Sequence, residues 1–211
     1  MPVYLRWSLG LLVAAFVTAV PVLCFRWTYT HEKRLRQVTP GKFYRSGEMT
    51  APGFRQAIAD LGLRTIINLQ DEYPDPELPE GYFCGGTIQE SELCRQMGVR
   101  YIYIPPDLVA RRLTPIMRPV AIDRFLKVLD DPANYPLLIH CRAGLHRTGV
   151  MTAVYRMEYC GWTARQAIDE MKENGFADWP CTAANDYLTQ YILSYRRGVR
   201  NPDSLARAAD R

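Results

Sequence analysis

The chain has 211 residues, 48% of them hydrophobic and 23% charged, and its net charge at pH 7 is +4. These values are ordinary for a globular protein of one domain with additional segments. The net charge is too small to indicate binding to nucleic acid, and the sequence contains no internal repeat or low-complexity run.

The first segment of the chain is apolar. Residues 7–25 are uncharged, and a helix of this length is just long enough to cross a bilayer. Trp7, Phe25 and Trp27 stand at its edges, as aromatic residues do at membrane interfaces. More basic residues follow the run than precede it, so the positive-inside rule places the rest of the chain in the cytoplasm. We therefore predict that residues 1–27 form a single-pass transmembrane anchor.

Two alternatives remain open for this segment. Arg6, the apolar run and the small residues around Ala19 also fit a cleaved signal peptide, which would lead to export of the remainder. The other alternative is a helix buried in the core of the domain. The six cysteines lack the short spacings of a disulfide framework, which favours the reducing cytoplasm.

The next segment, residues 28–39, is polar and basic. We interpret it as a juxtamembrane linker, whose basic side chains either set the topology or contact anionic lipid headgroups. The globular domain is predicted to span residues 40–197. Residues 198–211 have no apolar periodicity and are predicted to be a disordered tail.

The first half of the domain is predicted to alternate strands and helices. The predicted elements are an edge strand at 42–45, a helix from Pro52 to a stop at Gly62, a buried strand at 64–69, a surface loop at 70–86, a helix from a capping box at 87–90 to Gly98, and a strand at 99–104.

The second half contains one further strand among several helices. The predicted elements are a helix from the N-cap Thr114 to Asp130, a turn at 131–136, a buried strand at 136–139, a helix from Arg147 to a break at Gly161, a helix from a capping box at 163–166 to about Glu173, and a last helix at 183–196.

The strand at 136–139 and the helix after it enclose the sequence His-Cys-Arg-Ala-Gly-Leu-His-Arg-Thr, residues 140–148. Cys141 is thereby placed near a helix N-terminus, where free backbone N–H groups and the helix dipole favour an anion. The loop is long enough to curl so that its N–H groups face one centre, and Gly144 permits the backbone angles that the curl needs. A thiolate and a phosphate are both anions. The predicted phosphate-binding residues are Arg142, Ala143, Gly144, Leu145, His146 and Arg147.

The side chains around this loop suggest nucleophilic catalysis. Arg147 offers a planar fork of donors for two phosphate oxygens. The surrounding field favours the thiolate of Cys141, which is the nucleophilic form. Thr148 places a hydroxyl where it can stabilise the departing thiolate, and His140 is predicted to orient the loop from behind. The plain alternative is that Cys141 is a small buried apolar residue without a chemical role.

This run resembles the His-Cys-x5-Arg-Ser/Thr signature of the cysteine-based protein tyrosine phosphatases, in their dual-specificity branch. Lys42-Phe-Tyr-Arg-Ser-Gly and the strand after Gly62 also resemble the opening of the compact atypical dual-specificity phosphatases of bacteria, plants and fungi. The resemblance extends over residues 40–195. It implies an α/β fold with a central, mostly parallel sheet of four to five strands flanked by helices. It also implies that Arg45 and Ser46 lie near the catalytic loop, and the alternative is an Arg45 that is merely solvated on an edge strand.

The resemblance also implies a general acid on the loop after the strand at 99–104. Asp107 stands there, 34 positions before Cys141. Transfer of a phosphoryl group to a thiolate requires a proton for the leaving oxygen, which a carboxylic acid can supply. A solvated Asp107, with Asp71 or Asp75 as the acid instead, remains the alternative.

The chain is thus predicted to be a phosphomonoester hydrolase that acts through a phosphocysteine, without a cofactor. No metal is indicated either, since the three histidines have no ligand spacing with the cysteines. Phosphoproteins are the predicted substrates. Inositol phosphates or phosphoinositides are the alternative, because Arg142 and His146 add basic groups to the loop. A function of another class, a catalytically silent module that binds phosphorylated ligands, is disfavoured by the presence of Cys141, Arg147 and Thr148 together.

Overall fold

The structure is a computed structural model that describes residues 2–71, 73–81, 85–105, 118–176 and 183–200. A five-stranded sheet with the order β1-β2-β7-β3-β6 lies at its centre. All neighbouring strands are parallel except β1 and β2, so the predicted mostly parallel sheet is confirmed. A separate antiparallel pair is formed by β4 and β5. The strands are β1 Arg36–Thr39, β2 Phe43–Gly47, β3 Thr65–Asn68, β4 Glu77–Pro79, β5 Thr87–Gln89, β6 Arg100–Tyr103 and β7 Leu137–Cys141.

Seven α-helices are described, and those after the first flank the sheet. They are α1 Val3–Arg26, α2 Ala51–Leu61, α3 Glu90–Gln96, α4 Val120–Leu129, α5 His146–Tyr159, α6 Ala164–Glu173 and α7 Ala183–Ser194. A π-helical turn, Trp27–His31, follows α1, and a 3₁₀ turn, Pro132–Asn134, precedes β7.

The core has two parts, one on each face of the sheet. Successive strand residues point to opposite faces, so Leu138 packs with α2 and α3, while Leu137 and Ile139 pack with α4, α5 and α6. Each of the five residues of β7 is buried, as expected for a central parallel strand.

This topology places the predicted site at one edge of the sheet. Gly47 of β2 is paired with Cys141 of β7, and Asn68 of β3 is paired with His140. The three parallel strands therefore end together, and ligands of open α/β sheets bind at this carboxyl edge.

Local sequence signals fix several helix ends. The hydroxyl of Thr50 accepts a hydrogen bond from the N–H of Gly53 at the start of α2, and Gly62 ends that helix in the left-handed region. The capping box predicted at Thr163 and Gln166 is present at the start of α6. The predicted stop at Gly62 and the predicted capping box at 163–166 are thus confirmed.

The prediction of a linker at residues 28–39 is wrong. His31 of the π-helical turn is buried and its Nε2 lies 2.8 Å from Oε1 of Gln56 in α2. Val38 of β1 is buried in the core, and the Tyr155 hydroxyl donates to Oγ1 of Thr39 over 3.0 Å. The sheet thus begins before residue 40, and β1, rather than the predicted strand at 42–45, is the edge strand.

The predicted surface loop at 70–86 and the capping box at 87–90 also require correction. Residues of both segments form the β4–β5 pair, and the Thr87 hydroxyl donates to Oε2 of Glu77 over 3.0 Å instead of capping α3. Asp75, which lies 16 residues earlier in the sequence, caps that helix instead. Its carboxylate accepts from the backbone N–H of Ser91 over 2.9 Å and from the Ser91 hydroxyl over 2.6 Å. Strand pairing therefore prevails over the local capping motif.

The apolar helix α1 has no buried residue, so the alternative of a core helix is wrong. Together with the π-helical turn, it is long and apolar enough to cross a membrane, with a mean hydropathy of 2.3. At the other end, the N–H of Gly198 donates to Oε1 of Glu158 over 3.0 Å, and Arg200 pairs with Asp130 over 2.9 Å. The predicted disorder therefore does not apply to residues 198–200, and residues 201–211 lie outside the described residues.

Candidate active site

The catalytic loop, residues 141–147, connects β7 to α5. Its cysteine is buried, with 4% of its surface exposed, and the backbone N–H of Gly144 donates to the Sγ atom over 3.3 Å. A backbone N–H that points at sulfur stabilises a thiolate more than a thiol. The predicted curl of N–H groups around Cys141 is therefore realised at Gly144.

The curl of the loop depends on Gly144. Its φ is +72°, a conformation that costs other residues about 1–2 kcal/mol. A Cβ atom at this position would lie 2.6 Å from both the Gly47 backbone nitrogen and the Ser46 carbonyl oxygen. The loop is thus packed directly against the end of β2.

Arg45 supports the loop from β2. Its Nη2 donates to the carbonyl oxygen of Gly144 over 2.9 Å, and only 4% of the residue is exposed. Burial lowers the pKa of this guanidinium to about 10, while the nearby carboxylate of Glu170 opposes the shift. Arg45 therefore remains a cation at neutral pH, and the proximity of Arg45 and Ser46 to the loop is as the resemblance implied.

Arg147 forms an ion pair with Asp71, through Nη2 and Oδ2. Its side chain is 20% exposed and that of Asp71 is 39% exposed, so the pair stands at the mouth of the site. The carboxylate of Asp71 thus occupies one of the donors with which Arg147 can bind anionic oxygen. Asp75, the other alternative acid, has both carboxylate oxygens engaged by Ser91.

His140 lies behind the loop in a fully buried position. Its Nε2 is 2.7 Å from Oε1 of Glu90, and neither side chain is exposed. The ring of Phe54 packs edge-on against the imidazole, with the ring centroids 5.2 Å apart. The sequence analysis placed Glu90 only in a capping box and missed its contact with His140, for which the sequence carries no local signal.

Thr148 is buried in the first turn of α5, and among the described residues its hydroxyl oxygen has no hydrogen-bond partner. A buried hydroxyl without a partner is costly unless it serves a ligand or a reacting group. The structure shows no hydrogen bond from this hydroxyl to the Cys141 sulfur, so that contact stays a prediction.

The two additional basic residues of the loop differ from one another. Arg142 is exposed. The ring of His146 packs edge-on against Phe176 at 5.5 Å, and although part of it is exposed, loss of solvation and the charge of Arg147 lower its pKa. His146 is therefore neutral at pH 7, and the loop is less basic than its sequence indicates.

A cavity of about 410 Å³ is lined on one side by the exposed Arg142. We call it the acidic cavity, because three carboxylates are among its lining residues Glu48, Tyr73, Asp75, Pro76, Glu77 and Gln89. Glu48 is fixed there, since its Oε2 accepts from Nε2 of Gln70 over 2.7 Å.

The predicted general acid Asp107 lies outside the described residues, as does the predicted N-cap Thr114. Within the described part of the chain, no cluster of three His, Cys, Asp or Glu side chains is arranged to hold a metal ion.

A buried thiol that faces the N-terminus of a helix and is separated by five residues from an arginine defines a cysteine-dependent phosphatase on a protein tyrosine phosphatase fold. The comparisons with known proteins agree. The profile of the family described as "DSP-PTPase phosphatase fused to NAD+ Kinase" matches residues 18–182. The chain belongs to this family of dual-specificity-type phosphatases.

Relatives and solved structures extend the comparison. The chain is 32% identical over 154 residues to the inositol diphosphatase DSP3 of Arabidopsis thaliana, covering 73% of this chain and 68% of the relative. It is 32% identical over 130 residues to the putative tyrosine-protein phosphatase OCA1 of Mycosarcoma maydis, covering 62% and 73%. The core catalytic domain of the PP-IP phosphatase SIW14 from S. cerevisiae has the same fold, with a TM-score of 0.54, 23% identity and coverage of 83% and 90%.

Proposed function

We propose that Cys141 is the nucleophile of a two-step phosphoryl transfer. The N–H of Gly144, 3.3 Å from Sγ, is the observation that carries this proposal, because it places the thiolate and the anion-binding backbone at one centre. In the first step an S–P bond forms as the ester P–O bond breaks, while Arg147 and the loop N–H groups hold the other phosphate oxygens. In the second step water attacks the phosphocysteine, and the thiolate leaves with the bonding electron pair.

Asp107 is proposed to supply the proton to the leaving oxygen and then to accept one from the attacking water. The engagement of Asp75 with Ser91 supports this choice, because a carboxylate with both oxygens occupied is a poor acid for substrate. Asp107→Asn is expected to lower turnover by about 10²-fold to 10⁴-fold for poor leaving groups. An unchanged rate with phenyl phosphate across the pH range would exclude Asp107 from the mechanism.

Two residues assist the thiolate in this proposal. The Thr148 hydroxyl donates to Sγ as the phosphocysteine breaks down, which gives its unpartnered oxygen a role. His140 is a positioning residue, since its backbone carbonyl accepts from the N–H of Leu69 over 2.8 Å while its ring is held by Glu90.

Phosphoproteins are the proposed substrates. The acidic cavity beside Arg142 supports this choice, since its carboxylates attract a basic residue next to the phosphorylated one and repel a second phosphate. Inositol diphosphates are the second candidate, favoured by the name of the Arabidopsis relative and by the exposed Arg142.

The first experiment is hydrolysis of an aryl phosphate by the full chain in detergent, with chelator and reductant. Activity is expected for the chain and for Cys160→Ser, which removes an exposed thiol, and it should be lost in Cys141→Ser. Inactivity of the folded chain towards aryl phosphate and both substrate classes would instead support a silent phospho-ligand-binding module.

The substrates are separated by a matched pair of phosphotyrosine peptides, with Lys or Glu beside the phosphotyrosine, and by an inositol diphosphate. We expect kcat/KM to be about twofold to fivefold higher for the Lys peptide, and Glu77→Gln to reduce the difference. Arg142→Ala should then change kcat/KM for the two peptides little. A loss confined to the inositol substrate, with no preference between the peptides, would favour the second candidate.

The apolar helix α1 is proposed to anchor the chain in a membrane, with the phosphatase domain in the cytoplasm. Every residue of α1 is exposed, which supports this proposal, because an exposed apolar helix surface requires an apolar environment. Arg34 and Arg36 both contact the domain, which argues against a lipid-binding cluster. After expression, the chain should resist carbonate extraction and retain its N-terminus. A soluble product that begins after Ala19 would support the signal peptide instead.

A further inference from the structure

Three successive carbonyl groups of the catalytic loop accept hydrogen bonds from outside the loop. The Arg142 carbonyl accepts from the N–H of Glu48 over 3.3 Å, and the Gly144 carbonyl accepts from Arg45. Between them, the Ala143 carbonyl accepts from Nη1 of Arg34 over 2.8 Å. Arg34 precedes the predicted domain and lies 109 residues from its partner in the sequence.

The bond from Arg34 acts on the peptide group that faces the sulfur. A trans peptide is planar, and its C=O and N–H point in opposite directions. The carbonyl of Ala143 and the N–H of Gly144 belong to one such group, so a donor that holds the carbonyl outside directs the N–H inward. That N–H is the one that donates to Sγ of Cys141.

Arg34 is itself held in place. Its φ is +57°, a left-handed conformation that is rare for residues with a side chain. Its guanidinium lies over the ring of Tyr29, 5.3 Å from the centroid. The backbone before it is fixed as well, because the Lys33 carbonyl accepts from the N–H of Gly47 over 2.7 Å. A strained residue that its surroundings hold in place is typical of functional sites.

We propose that Arg34 is a positioning residue for the nucleophile, which keeps the Ala143–Gly144 peptide turned so that its N–H stabilises the Cys141 thiolate. The segment between α1 and β1 is then part of the active site. This inference rests on the proposed role of Cys141 as nucleophile. It adds a residue that acts on the sulfur through the loop backbone.

The test uses the full chain in detergent with the substitution Arg34→Met, which keeps the stem over Tyr29 and removes the donor. The rate of Cys141 alkylation by iodoacetamide is measured against pH, together with inhibition by inorganic phosphate and aryl phosphatase kinetics. Loss of a charge-assisted hydrogen bond predicts a fall of about tenfold to a hundredfold in kcat/KM. We also expect weaker phosphate inhibition and alkylation that requires a higher pH. Arg34→Lys, which retains a donor, should restore most of each property.

Arg36→Met is the matched control. It removes the same charge from the same segment, but the Arg36 side chain contacts Asn174 instead of the catalytic loop. It should match the wild type in all three measurements. If Arg34→Met melts below the assay temperature, Arg34→Gln replaces it. An alkylation profile that is unchanged while activity or the melting temperature falls would overturn the proposal. Since alkylation needs no turnover, it tests Arg34 even if the chain hydrolyses no phosphate ester.

Discussion

Position 144 requires a glycine for two separate reasons. Its φ lies in the left-handed region, and a Cβ atom there would lie 2.6 Å from backbone atoms of Gly47 and Ser46. Gly161 is a matched control, since its φ of +73° is nearly the same and no atom lies within 4 Å of a Cβ there.

We predict that Gly161→Ala costs about 1–2 kcal/mol of stability, which is the conformational penalty alone, and leaves activity intact. Gly144→Ala should cost more and abolish phosphate inhibition, because the loop must move away from β2. Chemical denaturation and aryl phosphatase assays on both variants measure the two effects. Equal stability losses in the two variants, with phosphate inhibition retained, would contradict the close packing of the catalytic loop against β2.

The pH dependence of the charge on His146 can also be predicted. Its pKa lies below the ordinary value of 6.5 because solvation is lost and Arg147 is near. As the pH falls through 6.5, an ordinary histidine would gain a proton, but His146 stays neutral until its lower pKa is reached. Above pH 6.5 its neutral form therefore predominates, and it adds little charge to the site.

His146→Gln should consequently leave the inhibition constant for inorganic phosphate unchanged between pH 6.5 and 8. Arg142→Ala provides the comparison, since it removes a permanent charge from the same loop. A phosphate affinity that weakens in His146→Gln, and more at pH 6.5 than at pH 8, would show that the imidazole is protonated in this range.

At the scale of elements, β7 and α3 are connected by the buried pair of His140 and Glu90. The two residues are 50 positions apart in the sequence and lie 2.7 Å apart at their polar atoms. Removal of one partner leaves the other buried without a hydrogen bond, which costs about 1–3 kcal/mol.

We therefore predict that Glu90→Ala lowers the free energy of unfolding by about 1–3 kcal/mol, whereas Glu90→Gln loses much less, because its amide oxygen can still accept a hydrogen bond. Glu92→Ala is the control on the same helix, since Glu92 is only partly buried and, within the described part of the chain, its hydrogen bonds run to Arg95 and Gln96 of α3. A Glu90→Ala chain as stable as Glu92→Ala would mean that the pair is not needed to hold α3 on the sheet.

The sequence predicted those elements whose signals are local. The strand, loop and helix around Cys141 occupy one continuous segment, and the capping box at Thr163 needs only four residues. The contacts made by Arg34 and Glu90 join distant segments, so neither residue carries a local mark of its role. The strand β1 was missed because an edge strand exposes most of its side chains, and only Val38 of its four residues is buried.

At the scale of the whole molecule, the chain divides at the end of α1. None of the α1 residues is buried, whereas His31 and Val38 of the following segment are part of the packed domain. The folded unit therefore begins near Trp27, and residues 27–39 are built into it. An anchored chain would thus hold its active site a short, fixed distance from the bilayer.

Two truncations test this division. A chain of residues 27–211 loses only α1, which has no buried residue, and should fold, remain soluble and hydrolyse aryl phosphate like the full chain. A chain of residues 40–211 also loses β1 and Arg34. Loss of the buried Val38 and of the β1 ladder should lower the free energy of unfolding by at least about 3 kcal/mol. Aryl phosphatase activity should fall by more than the lower stability alone explains, since the Ala143 carbonyl also loses Arg34, its hydrogen-bond donor. If both chains melted at one temperature and had equal activity, residues 27–39 would be a linker after all.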